Sequence, residues 1–159
     1  DRTFPLRITT SPSAYFFKQL EFSFELGRAL IASSGTLIAR VLDVKQQPNG
    51  RIIVTTDANM SVFPRPYIYA EHGQHRISVL RGMESIDDNR IKSLICGNAL
   101  ASGDILGTAF TSQIPEVGDL VLFHDAGAYC YSMSSRFSGR IRPAEFLIRD
   151  QVIQCIRQC

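Results

Sequence analysis

The sequence has no apolar span long enough to cross a bilayer and no secretory h-region, so it carries neither a membrane helix nor an export signal of that kind. It has no basic stripe either. Acids and bases are interspersed and the formal net charge is +2, which gives nucleic acid or a membrane surface no electrostatic reason to bind. Paired CxxC motifs are absent, which excludes a zinc ribbon or finger. The four cysteines, Cys96, Cys130, Cys155 and Cys159, are spaced too unevenly for a disulfide framework and read as reduced thiols of a cytoplasmic protein. Cys155 and Cys159 would share one face of a helical tail, but a metal there would lack its other ligands, so no metal site is expected. Internal repeats and low-complexity tracts are also missing. What remains is 159 residues of 45% hydrophobic content, enough for one core and too few for two large domains. Starting at Asp1 without an initiator methionine, the chain reads as a piece of something longer.

Ser11-Pro12-Ser13 before Ala14 to Leu20 predicts a capped short helix with Pro in its first turn. The period then changes. Leu37 to Val44 and Arg51 to Thr56 are β-rich runs around Gln46-Gln47-Pro48-Asn49-Gly50, whose Asn-Gly pair accepts the positive φ angles of a tight turn, and together they predict a hairpin. Further strands are expected at Ile77 to Leu80, Ser93 to Cys96, Asp119 to Phe123 and Glu145 to Ile148. Turn chemistry separates them at Gly82, Gly103, Pro115 to Asp119 and Arg142-Pro143. Gln151 to Cys159 is either a closing strand or a short helix. Many short strands with this punctuation favour a mainly β small barrel or sandwich, with one or two short helices, over an α/β layer.

Four stretches hold side chains suited to chemistry. In Glu25-Leu26-Gly27-Arg28 a carboxylate can keep a heteroaromatic nitrogen protonated and a guanidinium fork suits phosphate oxygens, with a glycine between them that lets backbone approach an anion. Taken alone, a surface Glu/Arg pair beside a turn is the stronger reading. Arg65-Pro66-Tyr67-Ile68-Tyr69, after Asp57-Ala58-Asn59-Met60, offers a bidentate grip on a carboxylate and an aromatic wall, or else an ordinary rim loop. His124 to Ser135 follows a strand-like run and presents Tyr129 from a glycine-flanked turn, where its phenol either serves a pocket or packs as a structural tyrosine. Ser132, Met133, Ser134 and Ser135 read as loop-shaping residues, and His72, His75 and His124 as packing ones. The fourth stretch, Gly97 to Gly107, carries Leu100 and Ala101 at its centre, and neither can donate a proton or hold an ammonium group.

These stretches, in this order, resemble the C-terminal signatures of pyridoxal-phosphate-dependent, fold-type III amino-acid decarboxylases, most of all the diaminopimelate decarboxylases. Glu25-Leu26-Gly27-Arg28-Ala29-Leu30 is similar to Glu-Pro-Gly-Arg-Ala-Leu, with Leu26 in place of proline; Asp57 to Met60 and Arg65 to Tyr69 match Asp-x-x-Met and Arg-Pro-x-x-Tyr. The likeness runs from about Phe22 to Ile148, with Ala126 to Ser135 and Arg142-Pro143-Ala144-Glu145 its most specific parts. It implies a Greek-key-type β-barrel over residues 29–159, preceded over 1–28 by a remnant of a (β/α)8 barrel. It also implies pyridoxal 5'-phosphate as cofactor, held through Glu25, Gly27, Arg28 and Tyr129, with Arg65 and Tyr69 at the distal end of an amino-acid substrate. The reaction implied is loss of the α-carboxylate of meso-diaminopimelate or a related amino acid, in a homodimer. In the family a Cys-Glu pair reaches across the dimer at the positions of Leu100 and Ala101, and a Schiff-base lysine sits on the N-terminal barrel. Lys18, Lys45 and Lys92 fall in helix, hairpin and loop contexts, so that lysine is expected outside this chain, and no residue here is assigned a catalytic role. A non-catalytic homologue serving dimerisation or regulation is the rival, favoured by the missing Cys-Glu pair.

Overall fold

The computed structural model describes residues 25–69 and 71–159. The helix expected near Ser11 to Leu20 lies outside them. Nine strands are described: β1 Leu37–Gln46, β2 Ile52–Thr56, β3 Ile77–Arg81, β4 Glu84–Ser85, β5 Asp87–Cys96, β6 Ile105–Thr111, β7 Leu120–Phe123, β8 Glu145–Arg149 and β9 Val152–Arg157. Two one-turn helices, Arg28–Ile31 and Arg65–Ile68, stand before β1 and between β2 and β3. The mainly β expectation with one or two short helices holds.

Side-chain alternation decides which residues go inside. In β1, Ala39 and Val41 are buried while Ile38, Arg40 and Leu42 are exposed; in β2, Ile52, Val54 and Thr56 face the core. Val79, Ile95, Leu106, Val121 and Phe123 complete the same interior, with Phe63 packed on Phe123 at 5.0 Å between ring centroids. The β1–β2 hairpin forms as expected, but its turn divides the work between two residues. Gly50 alone takes a positive φ, 81°, while the Asn49 side chain accepts the Arg51 amide at 3.0 Å.

The seven-stranded sheet runs β4-β3-β7-β1-β2-β5-β6. Every pairing in it is antiparallel except β2 with β5, because the chain between them makes the crossover that a parallel pair requires. Its far strands curl toward each other. Ile86 joins them: its amide donates to Val79 of β3 at 2.9 Å, and its carbonyl accepts from Ser112, next to β6, at 2.8 Å. Across the same seam a Cβ on Gly107 of β6 would lie 2.6 Å from Ile77 Cδ1 of β3, and its φ of 150° is one that other residues rarely adopt, so glycine suits the close approach.

Two expectations change and one open alternative is resolved. The motif from Gly97 to Gly107 ends inside a full strand, β6, whose central Gly107 hid the β pattern. Lys92, expected in a loop, lies on β5 and is exposed. The tail, open between a strand and a helix, is a strand, β9, in a separate two-stranded sheet with β8, so Cys155 and Cys159 do not share a helical face.

Asp104 ties two loops together below the sheet. Its buried carboxylate accepts Met60 N at 2.7 Å and Ala99 N at 2.8 Å, and Gly97 packs so closely on it that a Cβ there would sit 2.4 Å from Oδ2. Asp104→Ala strands two amides and is expected to cost on the order of 3 kcal/mol in urea-unfolding free energy. Asp104→Asn, which keeps one acceptor, should lose less; equal losses would show that the two amides are not what the carboxylate serves.

Candidate functional site

The sheet brings three remote segments to one end. Leu37 opens β1 opposite Phe123, which closes β7, and Ile77 opens β3 opposite the same Phe123. The residues before β1, before β3 and after β7 therefore emerge side by side. These are the Gly27 to Gly35 turn, the His72 to Arg76 segment and the Asp125 to Ser135 loop.

The first and last of these touch through backbone. Ala126 N donates to Gly35 O at 2.8 Å and Gly127 N donates to Ala32 O at 2.9 Å. A Cβ on Gly127 would fall 2.2 Å from Ile31 O, and one on Gly35 would fall 2.8 Å from Gly127 Cα, so both positions need glycine. The loop then turns through left-handed backbone at Asp125 and Tyr129, φ 57° each. A tyrosine there is uncommon, and the surroundings must hold it. It carries the phenol to Gly27, where a Cβ would meet Tyr129 Oη at 2.8 Å. Between them lies a cavity of about 430 Å³ lined by Gly27, Ile31, Gly127, Tyr129, Tyr131 and Ser132.

Arg28 and Arg65, on the two one-turn helices, do not line this cavity but converge on a neighbouring pair of groups. Arg65, almost fully buried, donates through Nη2 to His72 O at 2.7 Å and stacks 5.3 Å from the Tyr69 ring centroid. The Nε atoms of both arginines are buried without a hydrogen-bond partner among the described residues. Both guanidiniums act on the same two groups, His75 and Cys130. Burial pushes the Cys130 thiol up to about 11 against their pull, so it stays protonated.

His75 packs its ring on Phe63 at 4.7 Å, as the sequence suggests. Its Nδ1 lies 2.7 Å from His124 O, which requires Nδ1 to donate and leaves Nε2 a bare acceptor, buried and without a partner among the described residues. His124 in turn meets Ser78 Oγ at 2.8 Å through Nε2. Ser78 is buried inside β3 and reaches no lining of the cavity, so this pair braces β3 against β7.

Of the residues singled out from sequence, Gly27 and Tyr129 meet, and Arg28, Arg65 and Tyr69 gather around the same end of the sheet. Glu25 is exposed and does not line the cavity. Leu100 is fully exposed at φ 56°, at the tip of its loop. Lys45 and Lys92 are exposed, and neither is a desolvated amine; Lys18 lies outside the described residues. Sequence reasoning passed over Tyr131. Its position two residues after Tyr129 was the available signal, obscured because only a 3-10 turn, Tyr131–Met133, turns it toward the cavity.

The chain matches the family model for the pyridoxal-dependent decarboxylase C-terminal sheet domain over residues 15–127. The diaminopimelate decarboxylase of Buchnera aphidicola subsp. Baizongia pistaciae is 32% identical over 155 residues, covering 92% of this chain and 36% of that protein. That of Deinococcus radiodurans is 36% identical over 139 residues, covering 87% and 34%. The crystal structure of diaminopimelate decarboxylase from Helicobacter pylori, complexed with L-lysine, superposes with a TM-score of 0.67 at 30% identity over 82% of this chain and 30% of that one. The chain thus spans about a third of the length of the curated relatives it matches.

The imidazoles give the domain a definite acid response. Desolvation lowers the His75 pKa from 6.5, opposed by the His124 carbonyl and Asp125 and reinforced by Arg28 and Arg65; desolvation lowers His124 as well. Below pH 6.5 the unfolded chain binds protons that the folded one refuses, so stability falls as pH drops from 6.5 toward the folded values, then levels. His75→Phe is expected to flatten that fall in urea-unfolding free energy measured against pH. An unchanged slope would show that His75 is not held neutral.

Proposed function

The chain belongs to the pyridoxal-dependent decarboxylases, as their C-terminal sheet domain, and from that membership we propose that its parent protein removes the α-carboxylate of an amino acid, meso-diaminopimelate or a close relative of it. The observation that carries the site is the meeting of Gly27 with the Tyr129 phenol at the mouth of the cavity. The residues suit pyridoxal 5'-phosphate. Its phosphate needs donors and an approach free of Cβ atoms, and the cavity wall offers glycine backbone and the Tyr129 and Ser132 hydroxyls, with Arg28 directly following the lining Gly27.

In this reading Gly27, Arg28 and Tyr129 would hold the phosphate, and Glu25, exposed and outside the cavity lining in this chain alone, would reach the pyridine nitrogen and keep it protonated. Arg65 and Tyr69 face the distal end of the substrate, with the ring stack fixing the guanidinium for a carboxylate. The cofactor supplies an electron sink while carbon dioxide leaves the α-carbon. The neutral His75 adds no third positive charge beside Arg28 and Arg65, which leaves the two guanidiniums to set where an anion rests.

The remaining parts are supplied from outside this chain. A preceding (β/α)8 barrel would carry the lysine that binds the cofactor, with residues 1–28 its last remnant, and a homodimer would complete the pocket. The free thiols suit a cytoplasmic location, and no described helix is long and apolar enough to cross a membrane. Leu100 and Ala101 favour a second reading, a dimerisation or regulatory homologue, because an exposed leucine cannot hold an ammonium group.

The full-length parent, titrated with pyridoxal phosphate, is expected to develop the visible absorption band of the bound cofactor and to release carbon dioxide from at least one diamino or dicarboxylic amino acid. Arg28→Met or Tyr129→Phe should weaken cofactor binding about tenfold or more, the scale of a lost charge-assisted hydrogen bond. Uptake without turnover on the whole panel would favour the regulatory reading. The isolated chain should form no covalent adduct at Lys18, Lys45 or Lys92.

A further inference from the structure

We propose that Arg157, at the end of the last strand, is a positioning residue for the cofactor cavity and acts by holding Tyr131 in its wall; the role rests on the pyridoxal-phosphate reading above. Tyr131 and Tyr129 line the cavity from the same loop. Two guanidiniums sit against the Tyr131 ring, Arg157 at 4.3 Å from the centroid and Arg142 at 5.2 Å. A cation at that range is drawn to the ring's negative face. Arg142 is held by donating to Ser134 O at 2.8 Å, within the same loop. Arg157 comes from elsewhere. It pairs with Glu145 at 3.2 Å, and Glu145 is its ladder partner across the β8–β9 hairpin. Strand register thus sets where the guanidinium stands, and the guanidinium sets where the loop stands. The two guanidiniums, Arg157 more than Arg142, also hold the phenol below the usual phenol range.

The loop needs such support. Asp125 and Tyr129 both hold left-handed backbone, and no strand or helix spans Asp125 to Cys130. Backbone bonds at Ala126 and Gly127 fix its first half on the Gly35 turn; Cys130 packs in the core and Ser135 N donates to Ser61 O at 2.8 Å, which leaves the half-buried Tyr131 ring between them to be held by the stack. Every residue of β9 is exposed, so altering Arg157 removes this contact without opening the core.

The test uses the full-length protein with Arg157→Met, Arg157→Lys, Tyr131→Phe and, as a control in the same hairpin, Arg149→Met. Two quantities are measured: the pyridoxal-phosphate dissociation constant, and the ionisation of Tyr131, taken as the ultraviolet difference between the unaltered protein and Tyr131→Phe across pH. Arg157→Met is expected to raise the dissociation constant about three- to tenfold, the range of one cation–ring contact. It should also shift the Tyr131 titration upward, with no change in the urea midpoint. Arg157→Lys should restore most of the affinity, and Arg149→Met should match the unaltered protein. Normal affinity in Arg157→Met, whether or not the phenol titration moves, overturns the positioning role alone. An unaltered parent that takes up no cofactor overturns the decarboxylase reading and this role with it.

Discussion

Two glycines pressed backbone to backbone, Gly127 against the Ile31 to Gly35 turn, are the constraint from which the candidate site follows. At van der Waals distance neither position tolerates a Cβ, and the approach lets the loop after β7 bond to the turn before β1 through Ala126 and Gly127. Once that contact is made, the loop has to cross a short gap back toward Gly27. It does so through left-handed backbone at Tyr129, a conformation that costs on the order of 1–3 kcal/mol where nothing over-determines it. Strain of this kind persists beside a site because the packing around it leaves no alternative.

The sheet supplies the framework for that contact. Phe123 has ladder partners on both sides, Leu37 and Ile77, so a single level of the sheet fixes the exit points of three segments. A slip of one residue in either pairing would send Val121 and Phe123 to the outer face and carry the cavity residues with them. Burial of Val79, Val121 and Phe123 in the core makes such a slip costly. Packing energy is thereby converted into the placement of polar groups that lie outside the core.

The charges at this end form an asymmetric set. Arg28 and Arg65 approach one another's surroundings with buried, unpartnered Nε atoms, while His75 and Cys130 between them stay neutral by desolvation. A buried Nε–H without an acceptor among the described residues is costly, even where, as in Arg65, another nitrogen of the same group is bonded.

Local signals made part of this legible. The β1–β2 hairpin could be read from Asn49-Gly50, β3, β7 and β8 from their apolar runs, and the motif residues Gly27, Arg28, Arg65 and Tyr129 from their chemistry and order. β6 was hidden by Gly107, which is there for a contact with β3 that no local pattern reveals, and the form of the tail stayed open because β9 is exposed along its whole length. Residue identity alone settled which groups exist and which backbone angles they tolerate. The register around Phe123, the neutrality of His75 and the stacking of Arg157 on Tyr131 were settled only by the folded chain, since each depends on pairing or burial between residues far apart in sequence.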